Sequence, residues 1–331
     1  MAEVGGILCE YEARRRSKNK LEGAVEMIPK EYEKYEKTVT IACVNWSGTW
    51  GDKAANLEKM KAKVRDASGA GANIVAFPEL ALSGYECGEE AQRDQKPCSM
   101  HIEAAETIPG PSTEEIAQLA KDLGVYVIFG MPEKDEKDPN VRYISAAIIG
   151  PEGILGRYRK VNLAPLPIWT EPICFAPGDE LPVFETKYGP IGVQLCMDFW
   201  KVPECSRILC LKGARVIFNL SGSSSGPGKS EFMTEVTGCR GNESLVYSVS
   251  CNHVGKERTI SYYGHSTIAG PSYPRLTKIF AQGGDSEEIV LATLSFESLQ
   301  RWRDLIDLKK CVNWKLIAEE YKQLAACYNG F

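Results

Sequence analysis

The chain has 331 residues, 44% of them hydrophobic and 25% charged, a balance that excludes a disordered or fibrous protein and leaves room for one large core or two ordinary ones. A net charge of −5 supplies no general attraction for phosphate backbones, so nucleic acid is not expected as a partner. No apolar run nears the roughly 18–20 residues that span a bilayer, and the charged N-terminus lacks the apolar stretch of a signal peptide, so a cytoplasmic protein without membrane contact is expected.

Residues 1–37 are expected to form a charged N-terminal extension. Over 10–37, 15 of 28 residues are charged, which is too polar to build a core. Arg14–Arg15–Arg16 stands there, but acidic residues interleave the rest, which favours a solvated face over a nucleic-acid tail. From Thr38 the texture changes. Thr38–Val44 predicts a strand, and 53–68, with Leu57, Met60, Val64 and Ala67 at helical spacing, predicts a helix that Gly69 closes. Asn73–Phe77 is an apolar run of strand length. Ser112 with Glu115 predicts a capping box ahead of Ile116, Leu119 and Leu123. Val125–Gly130, Tyr143–Ile149, 190–195, 215–220 and 245–250 predict further strands. Helices are expected at 203–212, with Pro203 in the first turn and Gly213 at the end, and at 229–242. Apolar strands alternating with amphipathic helices predict an α/β fold whose sheets are buried behind helices. With no repeat and no flexible linker, 38–305 is expected to be one domain. Residues 306–331 follow as a helical tail, amphipathic over 312–326 (Ile317, Tyr321, Leu324) and suited to docking on its own body or on a partner subunit.

Twelve cysteines form no CxxC pair, and the closest spacing, Cys205 to Cys210, suits no common zinc module. Cys43 and Cys251 sit in apolar runs where a free thiol behaves as a small hydrophobe, and a reducing compartment is the simpler reading. Of the three histidines, His101, His253 and His265, the last two lie in strand-like runs with no further ligand nearby, so no metal site is expected; for His265 a satisfied structural role is favoured over a contact with substrate. The segment "SGSSSGPGKSE" follows a strand and precedes a helix but misses the phosphate-binding loop pattern by one residue. Ser221–Lys229 is expected to line a substrate pocket instead, and no cofactor motif is found.

Three segments carry chemistry. Glu79 follows an apolar strand and a proline, where open α/β sheets place ligands, although it would equally serve as the first exposed residue of a loop. Lys160 lies within Gly156–Leu163, which ends a strand-like run, and taken alone is an ordinary lysine. Cys196 ends the apolar run from Ile191 and opens a polar, aromatic turn and a helix, a place where a thiol pKa is expected to be lowered, although a buried inert thiol is the usual outcome. Taken together, a carboxylate, an ammonium and a thiol at three strand ends supply a base, an electrostatic stabiliser and a nucleophile.

These segments read "FPELALSGY", "GRYRKVNL" and "GVQLCMDFWKVPE". In order and spacing they resemble the glutamate, lysine and cysteine motifs of the nitrilase superfamily, the carbon–nitrogen hydrolases. "IPGPSTEEIAQLAKDLGVYVIFGMPEK", "FAPGDELPVFET", "LKGARVIFNLSGS" and "GHSTIAGP" extend the resemblance over about 38–305. It implies a four-layer α-β-β-α sandwich that associates into homo-oligomers, dimers or multiples of dimers. It further implies Cys196 as nucleophile, Glu79 as general base and Lys160 as stabiliser of the oxyanion. Glu171, in "TEPICFAPG", is the best match to a further glutamate of many members, while Glu133 is expected to be structural. The implied substrate is a small amide, with a carbamoyl compound or a nitrile as alternatives, and no cofactor is required. A catalytically idle scaffold of the same fold is the non-enzyme alternative. Tyr85, Trp169, Met197, Phe199, Trp200 and Ser221 are the expected pocket residues. Met197 stands where the family usually has a bulky aromatic, which alters the pocket wall and not the catalytic set.

Overall fold

The computed structural model describes residues 32–328, so most of the charged extension, including Arg14–Arg16, lies outside the described residues. The chain divides into two units, Met1–Lys34 and Tyr35–Phe331, and the second holds all the strands that follow. They are β1 (Thr38–Asn45), β2 (Ile74–Ala76), β3 (Tyr126–Lys134), β4 (Arg142–Gly150), β5 (Gly153–Arg159), β6 (Val183–Phe184), β7 (Ile191–Leu195), β8 (Val216–Ser221), β9 (Tyr247–Asn252), β10 (Val254–Glu257), β11 (Ile260–Tyr263), β12 (Thr267–Ser272), β13 (Arg275–Gln282) and β14 (Glu288–Ser295).

Two six-stranded sheets result, in the orders β14-β1-β2-β3-β4-β5 and β13-β12-β9-β8-β7-β6, with β10 and β11 forming a separate hairpin. Each sheet is parallel at its centre, β1-β2-β3 in one and β7-β8-β9 in the other. Side chains alternate across a pleated strand, so consecutive apolar residues feed two different layers. Ile41 and Cys43 of β1, Ile128 of β3, Val193 of β7 and Phe218 of β8 meet in one core between the sheets. Their neighbours Ala42, Val44, Val127 and Phe129 face the other way, onto Leu57, Met60 and Val64 of the helix Lys53–Gly69 and Ile116 and Leu119 of Pro111–Leu123. On the outer face of the second sheet, Ile217 packs with Leu209 of Pro203–Leu211 and Met233 of Lys229–Ser244. Sheets flanked by helices on both outer faces make the α-β-β-α sandwich.

Several local expectations need correction. The helix after Gly110 starts at Pro111, one residue before Ser112, and the Ser112–Glu115 capping box does not form. Instead the Glu106 carboxylate accepts from the backbone N–H and hydroxyl of Ser112 at 2.8 and 2.9 Å, so an acid from outside the helix satisfies its first turn. Gly69 is the last residue of its helix, and the positive φ of 91° falls at Gly71. The strand expected over 245–250 begins two residues later because Leu245 takes the left-handed turn that ends the preceding helix. The tail helix runs Trp314–Cys327; none of its residues is buried, and Tyr321 reaches the body through Glu204. Among the described residues no helix is long and apolar enough to cross a membrane.

Candidate active site

The strand ends named from sequence converge at one place. Glu79 follows β2 through Phe77 and Pro78, and its chain passes so close to β3 that a Cβ on Gly130 would stand 2.6 Å from the Glu79 Cα. Glycine is required there by close approach. The Glu79 carbonyl accepts from His253 Nε2 at 2.6 Å, and burial lowers His253 to about 4, leaving it a neutral donor that fixes this turn. Lys160 follows β5 directly, and Glu171 opens the one-turn helix Glu171–Cys174.

The Lys160 ammonium is completely buried and lies 2.8 Å from Glu79 Oε1 and 2.8 Å from Glu171 Oε1. The other oxygens are occupied too: Gly222 N–H donates to Glu79 Oε2 at 3.0 Å, and Ala164 N–H to Glu171 Oε2 at 2.7 Å. Tyr85 donates its hydroxyl to Glu171 Oε1 at 2.6 Å. Burial works against the charge on Lys160, but Glu171 and Glu79 outweigh it and hold the lysine well above its ordinary pKa. Burial likewise raises Glu79, to about 7, against the opposing pull of Lys160. Two carboxylates sharing one ammonium in a water-poor site have this consequence: the second negative charge is costly, and one acid holds its proton towards neutrality.

Cys196 comes immediately after β7, with φ 47° and ψ −97°. A non-glycine residue in that region costs roughly 1–3 kcal/mol, and such outliers cluster at functional sites. Surrounding bonds hold it: its N–H reaches Leu220 O at 3.0 Å and Asn219 Oδ1 at 3.1 Å, and its carbonyl accepts from Phe199 and Trp200 at 3.0 and 2.9 Å. The thiol feels the charges of Glu79, Lys160 and Glu171. Burial and Glu79 push it up to about 12, with Lys160 and a hydrogen bond from Ser221 only partly compensating. It is therefore a protonated thiol in the field of Glu79, Lys160 and Glu171, not a preformed thiolate.

Beside the carboxylates opens a cavity of about 650 Å³, lined among others by Tyr85, Trp169, Ile168, Ile260, Ser224 and Glu171. Tyr85 and Trp169 stand edge to face, 5.8 Å apart, as expected of pocket walls. Ser224 brings the Ser221–Lys229 loop to the same cavity. Met197 is partly exposed next to the thiol. Phe199 corrects the reading: it is fully buried and packs outward against Leu209 and Met233, because the single helical turn after Cys196 directs it away from the cavity. Trp200 packs beside it and donates to Ser221 Oγ at 3.0 Å, so both are supports rather than walls. Glu133 is buried under Arg159 and Ser145. His265 lies outside any strand, with a positive φ of 54°, and contacts Gln282.

Two positioning residues escaped the sequence reading. Asp198 accepts from Tyr158 OH at 2.6 Å and from Asn162 N–H and Nδ2 at 2.7 and 2.8 Å, tying the cysteine turn to the segment that carries Lys160. Glu257, on the hairpin, accepts from the Tyr85 and Glu86 amides at 2.8 and 2.6 Å. An acid two residues past the thiol was a signal for the first, while nothing local pointed to the second.

The carbon-nitrogen hydrolase family model matches residues 40–304. The chain belongs to the carbon-nitrogen hydrolase family. It is 36% identical to a probable nitrilase of Schizosaccharomyces pombe over 70% of this chain and 80% of that one. It is 34% identical to an N-carbamoylputrescine amidase of Solanum lycopersicum over 77% of this chain and 85% of that one. The crystal structure of Saccharomyces cerevisiae Nit3, a member of the nitrilase superfamily, superposes with a TM-score of 0.71 at 26% identity, covering 84% of this chain and 98% of that one. In this hydrolase the family's fold and the buried Glu79–Lys160–Glu171 cluster thus stand together. Among the described residues no group of three or more His, Cys, Asp or Glu side chains is arranged to hold a metal ion.

Proposed function

We propose that this carbon–nitrogen hydrolase cleaves a small amide through a thioester on Cys196. The observation that carries this reading is Lys160 held 2.8 Å from both Glu79 and Glu171, beside a strained Cys196 and a cavity of ligand size. Glu79 takes the thiol proton as sulfur attacks the carbonyl carbon, because a thiol raised to about 12 is otherwise a poor nucleophile at neutral pH. Lys160 has three N–H donors, and two already serve the carboxylates. The third, with a backbone N–H at Met197, meets the developing oxyanion. Glu79 then returns its proton to the departing amine and activates the water that cleaves the thioester. Glu171 acts by orienting Lys160. The small uncharged amide is favoured over larger substrates by the aromatic walls Tyr85 and Trp169. N-carbamoyl compounds and nitriles remain the second reading, because the similar proteins include an amidase of an N-carbamoyl compound and a probable nitrilase.

Ammonia release from a panel of short amides, N-carbamoyl amines and nitriles tests this. Turnover of amides above the other two classes is expected, and a panel in which nothing reacts in wild type beyond a Cys196→Ala control overturns it.

The pH profile is a second test. A base raised to about 7 is protonated and idle below that pH, and ionised above it. The acid limb of kcat/KM is thus expected near pH 7, with the rate at pH 5 about 100-fold below the plateau. A profile flat from pH 5.5 to 8 would mean that the carboxylate titrates in its ordinary range and would overturn the burial-raised Glu79 as the group that sets the acid limb.

A further inference from the structure

A second cluster of reactive side chains borders the cavity at Cys87 and takes no part in the reaction just described. Cys87 Sγ is 3.6 Å from Cys174 Sγ and 3.8 Å from His101 Nδ1. Cys98 joins them through backbone bonds: Gly88 N–H donates to Cys98 Sγ at 3.1 Å, and Cys98 N–H to Cys174 Sγ at 3.4 Å. His101 is buried, and its Nε2 lies 3.2 Å from Gly84 O, which turns Nδ1 towards the sulfurs. Burial alone would lower His101, yet its bonds with Cys174 and Cys98 raise it to about 9. The cluster thus contains an imidazolium with sulfur around it, the environment that makes a thiolate.

We propose that Cys87 and Cys174 are a reversible oxidation site, forming a disulfide with a peroxide that enters through the cavity and thereby disabling the adjacent active site. The Cys174 thiolate attacks one peroxide oxygen, the O–O bond breaks, and Cys174 becomes a sulfenic acid with release of hydroxide. Cys87 sulfur then attacks the sulfenic sulfur and expels its oxygen as water, the thiol proton being taken up in the process. In sum, two thiols and one peroxide give one disulfide and two waters; the sulfurs lose the two electrons that the O–O bond gains.

Access selects this pair. Cys87 lines the cavity, and Cys87 and Cys174 keep 9% and 7% exposure, whereas Cys98 keeps none. A tighter pair exists, Cys43 Sγ to Cys251 Sγ at 3.0 Å, but both are completely buried between the sheets, where peroxide does not reach. Closing 3.6 Å to a bonded sulfur pair moves the two sulfurs together by about 1.5 Å. That movement bears on the active site because Cys87 is two residues past Tyr85 and Cys174 three past Glu171, and Tyr85 OH donates to Glu171 Oε1 at 2.6 Å. The effect on activity rests on the function proposed above, while the cross-link does not.

The test treats the native full chain with hydrogen peroxide, caps free thiols with N-ethylmaleimide and maps non-reduced peptides by mass spectrometry. A Cys87–Cys174 linkage is expected before any Cys43–Cys251 linkage, in wild type and equally in Cys196→Ala. Amide hydrolysis by wild type is expected to fall at least fivefold and to return with dithiothreitol. Cys174→Ser keeps its basal activity and loses the dithiothreitol-reversible part; Cys174→Ala serves the same purpose if Cys174→Ser does not fold. Absence of the linkage in native protein, linkage through Cys98 instead, or thiols protected by a bound zinc ion until a chelator is added would each overturn the site. A linkage that forms without loss of activity would overturn the switch.

Discussion

Replacing Cys196 by alanine is expected to lower turnover by at least about 10⁴-fold while the protein melts within about 3 °C of wild type. The rate effect follows from losing the atom that bonds to the substrate carbon; the base and the oxyanion donors have nothing left to assist. The stability effect is small because the turn is held by backbone bonds of residue 196, to Leu220 O and Asn219 Oδ1, which alanine retains. Alanine also retains the strain. At φ 47° and ψ −97° any Cβ is unwelcome, so Cys196→Gly should relieve roughly 1–3 kcal/mol, set against about 0.5–1 kcal/mol of added chain entropy. The glycine variant is therefore expected to melt above the alanine variant, with both inactive. Activity assays together with thermal melts of the two variants check this. Substantial residual turnover in Cys196→Ala would remove Cys196 from the mechanism, and a glycine variant melting below the alanine variant would show that the turn stores no strain.

That turn also marks how far the sequence could be read. The apolar runs at 73–77 and 191–195 end just before Glu79 and Cys196, because the close packing that demands continuous apolar strands stops at the carboxyl ends of β2 and β7. Motif order singled out Glu79, Lys160 and Cys196, and Lys160 does stand 2.8 Å from Glu79 with the Cys196 thiol in the field of both. What was not legible depends on partners distant in the chain. Glu257 serves the Tyr85 amide 172 residues away, and His253 the Glu79 carbonyl 174 residues away. Neither bond has any local periodicity to reveal it. Likewise Phe199 and Trp200 were aromatic and near the thiol, but a four-residue helix leaves no pattern from which to read which face is buried. Glu171 lay between these cases: its neighbourhood suggested it, and only the 2.8 Å contact with Lys160 gave it a physical role.

Replacing Lys160 by methionine should do more damage than removing the nucleophile, and the damage should depend on pH. With the ammonium gone, Glu79 and Glu171 are left buried, facing the same space without a counter-charge. Breaking a buried ion cluster in this way costs roughly 3–5 kcal/mol. The sign with pH follows from which state binds more protons. Burial already raises Glu79 to about 7, and loss of Lys160 raises it further, so above its unfolded value near 4.5 the folded state holds protons that the unfolded state has released. Stability of the variant must then fall as pH rises through that interval. Urea unfolding should show a loss of about 3–5 kcal/mol at pH 8 and much less at pH 5, where a protonated carboxyl can donate to its neighbour. The double variant Lys160→Met with Glu79→Gln removes one of the two charges and should regain much of the stability at pH 8 without regaining activity. Loss of an oxyanion donor alone accounts for about 10²–10³ in turnover, so the single variant should be slower than that even at the pH where it is best folded. An equal loss of stability at both pH values would show that Lys160 contributes packing rather than charge, and the electrostatic account of this site would fall with it.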